Sequence, residues 1–206
     1  MLQVDGIRSL TDPQCVMYRW KSDWAEYARS EIIKDSLSPE FAKCFFMPYR
    51  EKKRQKIRFE FYDTNDKGEQ DDFLGYYETE LRILIRKGVD HDELEHPKLT
   101  SVGFINAVAE LIQSNTDLFK FVNFKIEGKK LAKKDTFSQS DPYFLIQSET
   151  LNGFRTVYRS EAIKNKANPK WDSFTINLAH LCNSDYSRKL KFIVYDWDKS
   201  TEDDFI

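Results

Sequence analysis

The chain is poor in the residues that usually settle a protein's class. Its three cysteines, Cys15, Cys44 and Cys182, stand far apart in 206 residues with no C-x-x-C pair. That excludes a disulfide framework or a cysteine zinc site and fits reduced thiols in a cytosolic protein. Neither sign of charge dominates, with 32 Lys and Arg against 34 Asp and Glu. No global field draws the chain to nucleic acid or holds it constitutively on a membrane, so any electrostatic function is local. No apolar run approaches the length of a membrane span, and the opening "MLQVDGIRSLTDPQ" has neither the basic head nor the apolar core of a signal peptide. Catalytic signatures are missing too. There is no G-x-x-x-x-G-K and no Gly-rich elbow around a serine, and the three histidines lack an obvious partner, so no enzyme is expected. "HDELEH" sets His91 and His96 five apart, which misses the spacing of a helical zinc pair and reads as a polar loop between strands. "DTNDKG" opens like an EF-hand loop but has Lys67 at its fifth position and Leu74 at its twelfth, so it cannot close around an ion.

What the chain does have is the pattern of strands. "KIRFEFYD" (56–63) alternates Ile57, Phe59 and Phe61 with polar neighbours, and "RKLKFIVYD" (188–196) does the same with Leu190, Phe192 and Val194. Glycine and proline are sparse, at 7 and 6, and sit at breaks such as "SLSPEF" and "KANPKW". Short strand-like runs between such turns predict an antiparallel sandwich. "INAVAELIQS" (105–114) suits a short helix or a strand, and we take it as a strand running into a linker near "QSNTD". The pattern also repeats. "SLTDPQCVMY", "ARSEIIKDSLSPEF", "KIRFEFYD" and "DDFLG" return in the same order as "SQSDPYFLIQ", "YRSEAIKNKANPKW", "KLKFIVYD" and "DDFI". Two copies of one β domain are therefore expected, 1–113 and 114–206. Each copy gathers acids in its last loop; "YDWDKSTEDDFI" carries Asp196, Asp198 and Asp204. Two such charges about 4 Å apart cost on the order of 4 kcal/mol near a protein surface, so the cluster asks for a cation.

The order S-D-P, R-S-E-x-I-K, N-P-x-W, Y-D-x-D and D-D-F resembles the C2 domain, an eight-stranded antiparallel sandwich. Tandem copies with "RSEAIKNKANPKW" and "LAHLCNSD" resemble the copine family. The resemblance implies an all-β chain whose first domain is short of its opening strand and whose second stops before its closing strand or strands. It also implies a fragment or short form without the von Willebrand A-type domain. It further implies calcium between loops at one end of each sandwich. In the second domain the implied ligands are Asp135, Asp141, Asp196, Asp198 and Asp204. Calcium takes six to eight oxygens, so two facing loops of carboxylates would leave positions for phospholipid oxygens. Neutralising the loops would also remove their repulsion from an anionic leaflet. In the first domain Asp12, Asp63 and Asp72 match, but Gly6 stands where the second has Asp135, and Asn65 or Asp66 stands where it has Asp198, so weaker binding is expected. Phe137 and Trp197 flank the second site and either enter the headgroups or pack beneath the loops; we take both as membrane-inserting. Basic residues on one strand, Arg188, Lys189 and Lys191, read as a solvated face in preference to a lipid patch. The implied function is calcium-dependent docking on acidic phospholipid, moving a cytoplasmic protein to the plasma membrane or other intracellular membranes and recruiting protein targets. The alternative is a calcium-independent interaction scaffold with vestigial metal sites.

Overall fold

The computed structural model describes residues 11–64, 71–112, 118–132, 140–150, 153–198 and 203–206. The chain divides into two compact units, residues 1–111 and 112–206. Both are mostly β, with antiparallel sheets.

In the first unit β1 (Pro13–Trp20), β2 (Trp24–Ile32), β3 (Lys56–Asp63) and β4 (Asp72–Glu80) form one sheet in the order β2-β1-β3-β4. The alternation read in 56–63 is realised in β3, where Ile57 and Phe61 are buried in the core with Cys15, Met17, Leu74 and Tyr77. A short helix α1 (Leu81–Lys87) follows β4 and stops at Gly88, whose φ of 75° only glycine adopts readily and whose N–H caps Leu84. Then β5 (Val89–Glu93) and β6 (Phe104–Val108) pair with each other, and Leu94, Val102, Ile105 and Ala107 close the core from that side. The stretch beginning at Ile105 is thus a strand. "HDELEH" begins inside β5 and is not simply a loop: His91 stacks on Phe104 with ring centroids 5.3 Å apart and meets Asn106 Oδ1 at 2.7 Å across the pair.

The second unit repeats the four-stranded order. β8 (Pro142–Thr150), β9 (Gly153–Arg159), β11 (Leu190–Asp196) and β12 (Asp204–Phe205) lie as β12-β11-β8-β9. β7 (Phe121–Phe124) pairs with β10 (Phe174–Asn177), and α2 (Leu178–Cys182) follows, its N–H groups accepted by the Asn177 side chain. Its core is built on Phe144, Ile146, Val157, Trp171 and Ile176. Trp171 of "NPKW" meets Phe144 edge-on at 4.9 Å, and its indole N–H donates to the Glu161 carbonyl at 3.1 Å.

The repeat extends to single bonds. Ser30 Oγ accepts the Cys15 N–H and donates to the Glu31 carbonyl; Ser160 Oγ accepts the Phe144 N–H and donates to the Glu161 carbonyl. The serine of R-S-E is therefore a clamp between two strands in both units.

Candidate metal centre

The aspartates picked out by sequence sit where strands enter and leave one end of each sheet. β8 starts at Pro142, directly opposite Asp196, the last residue of β11; β1 starts at Pro13, opposite Asp63. A bond from backbone to side chain ties the two strand ends together. The Asp141 N–H donates to Asp196 Oδ1 at 2.6 Å, and the Asp12 N–H donates to Asp63 Oδ1 at 2.7 Å. Each leading aspartate then accepts from the next loop: Asp141 Oδ1 from the Asn165 N–H at 2.7 Å, Asp12 Oδ1 from the Asp35 N–H at 2.8 Å. Asn165 and Asp35 hold matching left-handed φ values of 54° and 51°, a conformation their short side chains tolerate.

The two ends differ in what meets the remaining oxygens. In the first domain Lys34 Nζ lies 2.8 Å from Asp12 Oδ2, so that carboxylate is already matched by a cation. In the second, Lys164 holds the corresponding place in the sequence, yet among the described residues no ion pair joins it to Asp141. Asp196 is 1% exposed, and among the described residues its Oδ2 is buried with no hydrogen-bond partner; the matching Asp63 is buried too, at 6%, so the difference between the two ends lies with Lys34. A buried, charged oxygen without a partner costs several kcal/mol, and a hard cation would remove that cost. The donor set of the second domain, carboxylate oxygen throughout, fits calcium.

Asp204 faces Asp196 across the β11–β12 pair and is exposed, as Asp72 is opposite Asp63. Directly opposed like charges destabilise a strand pair unless something offsets them. Asp198 is half-buried in the loop, and its N–H donates to Asp203 Oδ1 at 3.0 Å. Asp135, Asn65, Asp66 and Phe137 lie outside the described residues. Among the described residues no three His, Cys, Asp or Glu converge closely enough to hold a metal ion. The structure thus joins Asp141 to Asp196 and sets Asp204 opposite without closing a full cage. Trp197 is half-buried, held through its N–H to the Asp141 carbonyl at 3.1 Å.

One participant escaped the sequence. Asp203, beside the predicted Asp204, accepts the Tyr143 hydroxyl at 2.7 Å and lies 3.5 Å from Arg159, whose guanidinium covers the Tyr143 ring at 4.0 Å. Burial and then Asp203 push the Tyr143 hydroxyl far above its ordinary pKa. The signal was the D-D doublet of both repeats: in the first domain Asp71 and Arg29, at the matching places, line a small cavity with Tyr18 and Tyr62.

With two repeated sheets and their paired aspartate loops in place, comparison with known families is decisive. The C2 domain model matches residues 2–95 and 122–206. The chain belongs to the C2 domain family. Among solved structures it is similar to the calcium-bound tandem C2 domains of extended synaptotagmin 2, at 15% identity over 95% of this chain and 72% of that one, with a TM-score of 0.38. It is also similar to a longer piece of extended synaptotagmin 2 that joins an SMP domain to the same two C2 domains, at 16% identity over 92% of this chain and 41% of that one, with a TM-score of 0.33. The assignment rests on the family match to both C2 domains.

Proposed function

We propose that the second C2 domain binds calcium at its loop end and, through it, the surface of an acidic phospholipid membrane. The observation that carries this is the contrast at the leading aspartate: Asp141, whose N–H bonds the buried Asp196, meets no described cation, where Asp12 of the first domain meets Lys34. Asp141, Asp196 and Asp204, with Asp135 and Asp198 from the flanking loops, are the residues that would hold the ion. When bound, calcium would supply positive charge and open coordination positions for lipid phosphate or carboxylate oxygens. The chain's own residues do the rest. The Asp141 N–H holds Asp196 in place, Asn165 fixes the Asp141 carboxylate, and Asp203 draws in the backbone of Asp198.

In the first domain the Lys34–Asp12 pair favours a second reading, a C2 fold whose metal site is weak or vestigial and which serves as an interaction scaffold. On the resemblance of "RSEAIKNKANPKW" and "LAHLCNSD" to the copines, we further propose a copine-like, non-enzymatic module recruited from cytoplasm to plasma membrane when calcium rises. The test is sedimentation of the whole chain with phosphatidylserine liposomes, with and without calcium. Calcium-driven sedimentation that disappears in Asp196→Asn with Asp198→Asn is the expected result. Binding that ignores both the ion and the substitutions would favour the scaffold.

A further inference from the structure

The first domain carries a second feature at the end of its sheet away from the aspartates. β1 leaves Asp12 and, eight residues on, delivers Trp20 to the far end, a run of about 25 Å at ordinary strand rise. There Trp20 pairs with Trp24 across the hairpin, 46% exposed, its ring edge-on to Trp24 at 5.2 Å. β3 begins at the same end, since Arg19 lies opposite Ile57, and it is preceded by "REKKRQK" (50–56). That segment is a built turn. The Gln55 side chain accepts the Arg50 N–H at 2.7 Å and donates to the Pro48 carbonyl at 2.8 Å, and the Lys53 N–H returns to the Arg50 carbonyl at 2.9 Å. Arg50, Lys52 and Lys53 are left exposed on it, and Lys56 Nζ lies 5.9 Å from the Trp20 ring centroid.

Charge accounting at this end comes out positive. Its buried acids are matched inside the domain: Glu80 by Arg54 and Arg82, Asp90 by Lys87. Arg50, Lys52, Lys53, Lys56 and Lys21 have no described acid partner, and the unmatched acids near them are Asp23, Glu51 and Asp92. Among the described residues the segment before β11 in the second domain, "NSDYSRK" (183–189), carries fewer cations, and there Arg188 already faces Asp185.

We propose that the Trp20 hairpin and the 50–56 turn form a calcium-independent docking surface for an anionic bilayer. An indole ring exposed beside dispersed lysines suits the headgroup layer, which takes amphipathic aromatics and draws cations by its negative potential. A nucleic acid or an acidic peptide would be met by the same charges, but Trp20 is packed edge-on to Trp24 and does not offer the run of open aromatic faces along a groove on which successive bases stack. The first domain would then be two-ended, with acids at one end of its sheet and this surface at the other. The surface works without calcium, so its test stands apart from that of the loop site.

The experiment is sedimentation of the whole chain with phosphatidylserine vesicles in chelator, at low and at raised salt, together with quenching of tryptophan fluorescence by brominated lipid. Wild type should bind at low salt and release as salt rises. Arg50→Gln with Lys52→Gln and Lys53→Gln should lower the partition coefficient about a hundredfold, the worth of three cations near an anionic surface. Trp20→Ser should keep the melting temperature, because the side chain is exposed, and should lose most of the quenching. Three results would overturn the proposal: no binding in chelator, binding indifferent to both variants, or an oligonucleotide or acidic peptide bound through the same cations while phosphatidylserine vesicles bind no better than neutral ones.

Discussion

In the first domain the leading aspartate meets Lys34 at 2.8 Å; in the second, Asp141 meets no described cation, although the aspartate that closes the strand end, Asp63 or Asp196, is buried in both. The backbone around both is the same, down to the N–H bond that joins the two strands and the left-handed residue in the next loop. Strand order and turn chemistry therefore build the same arrangement of carboxylates in either domain, and one side chain, Lys34, distinguishes them. The fold sets where the carboxylates stand, whereas the local charge inventory sets which of them already faces a cation. The cores differ as well. The N-P-x-W tryptophan is buried in the second domain, while its counterpart Phe41 is half-buried, its ring centroid 6.2 Å from that of Phe61.

The core difference should give the largest effect. Trp171→Ala removes a buried ring, its edge contact with Phe144 and its bond to Glu161, and should cost about 3–5 kcal/mol. Phe41→Ala should cost about 1–2 kcal/mol, since less of the ring leaves the core. Amide exchange followed separately in β8 and in β1 measures each domain within the whole chain. Equal losses would mean that the two motifs anchor their domains alike.

Next comes the metal site. Asp196→Asn with Asp198→Asn should weaken calcium-driven liposome binding at least about a hundredfold, because ligand charge sets calcium affinity over several decades. Asp63→Asn, measured at the same calcium concentration, should cost less than about fivefold. If both cost the same, the first domain is as competent as the second and Lys34 is easily displaced.

That pair can be tested directly. With the second site silenced by Asp196→Asn and Asp198→Asn, Lys34→Ala should raise the remaining calcium affinity about tenfold, as a competing positive charge leaves Asp12. Lys164→Ala in an otherwise unaltered chain should change nothing. Calorimetric titration distinguishes the cases, and a Lys34→Ala chain no better than its parent would show that the first loop lacks the ligands whatever its lysine does.

Much of this was legible before the fold was known, because the repeat marks residues that do fixed jobs. R-S-E supplies a serine clamp, N-P-x-W an anchor, and Y-D a carboxylate that caps the neighbouring strand. The Lys34 contact was not legible, since both repeats read I-K at that place and only side-chain direction separates them. Asp203 was hidden by its neighbour. In a doublet both acids look alike, and strand alternation sends Asp204 to the side of Asp196 and Asp203 to that of Tyr143. β5 was missed for a related reason. "VDHDE" has no apolar alternation, because its inward position is held by an acid, Asp90, bonded to the Tyr77 hydroxyl at 2.5 Å.

Asp90 gives the smallest test, one of pH. Burial raises its carboxyl pKa, but Lys87 at 2.6 Å and Tyr77 outweigh burial and leave it below the ordinary value. A carboxyl depressed in the folded state contributes stability that is full above the unfolded value, near pH 4, and lost as the pH falls through the folded one. Glu80, held low by Arg54, works in the same direction in the same domain. Among the described residues of the second domain the carboxyl held low is Asp185, in an exposed turn with Ser187, where little stability is at stake. On acidification below pH 4 the β5–β6 amides should therefore lose protection before those of β8–β9, once each is corrected for its intrinsic exchange rate. Asp90→Asn should lower β5–β6 protection at neutral pH, because Lys87 loses its charged partner, and should flatten the acid limb. If β8–β9 opens first and Asp90→Asn leaves the limb unchanged, the buried Asp90 does not set the acid sensitivity of its domain.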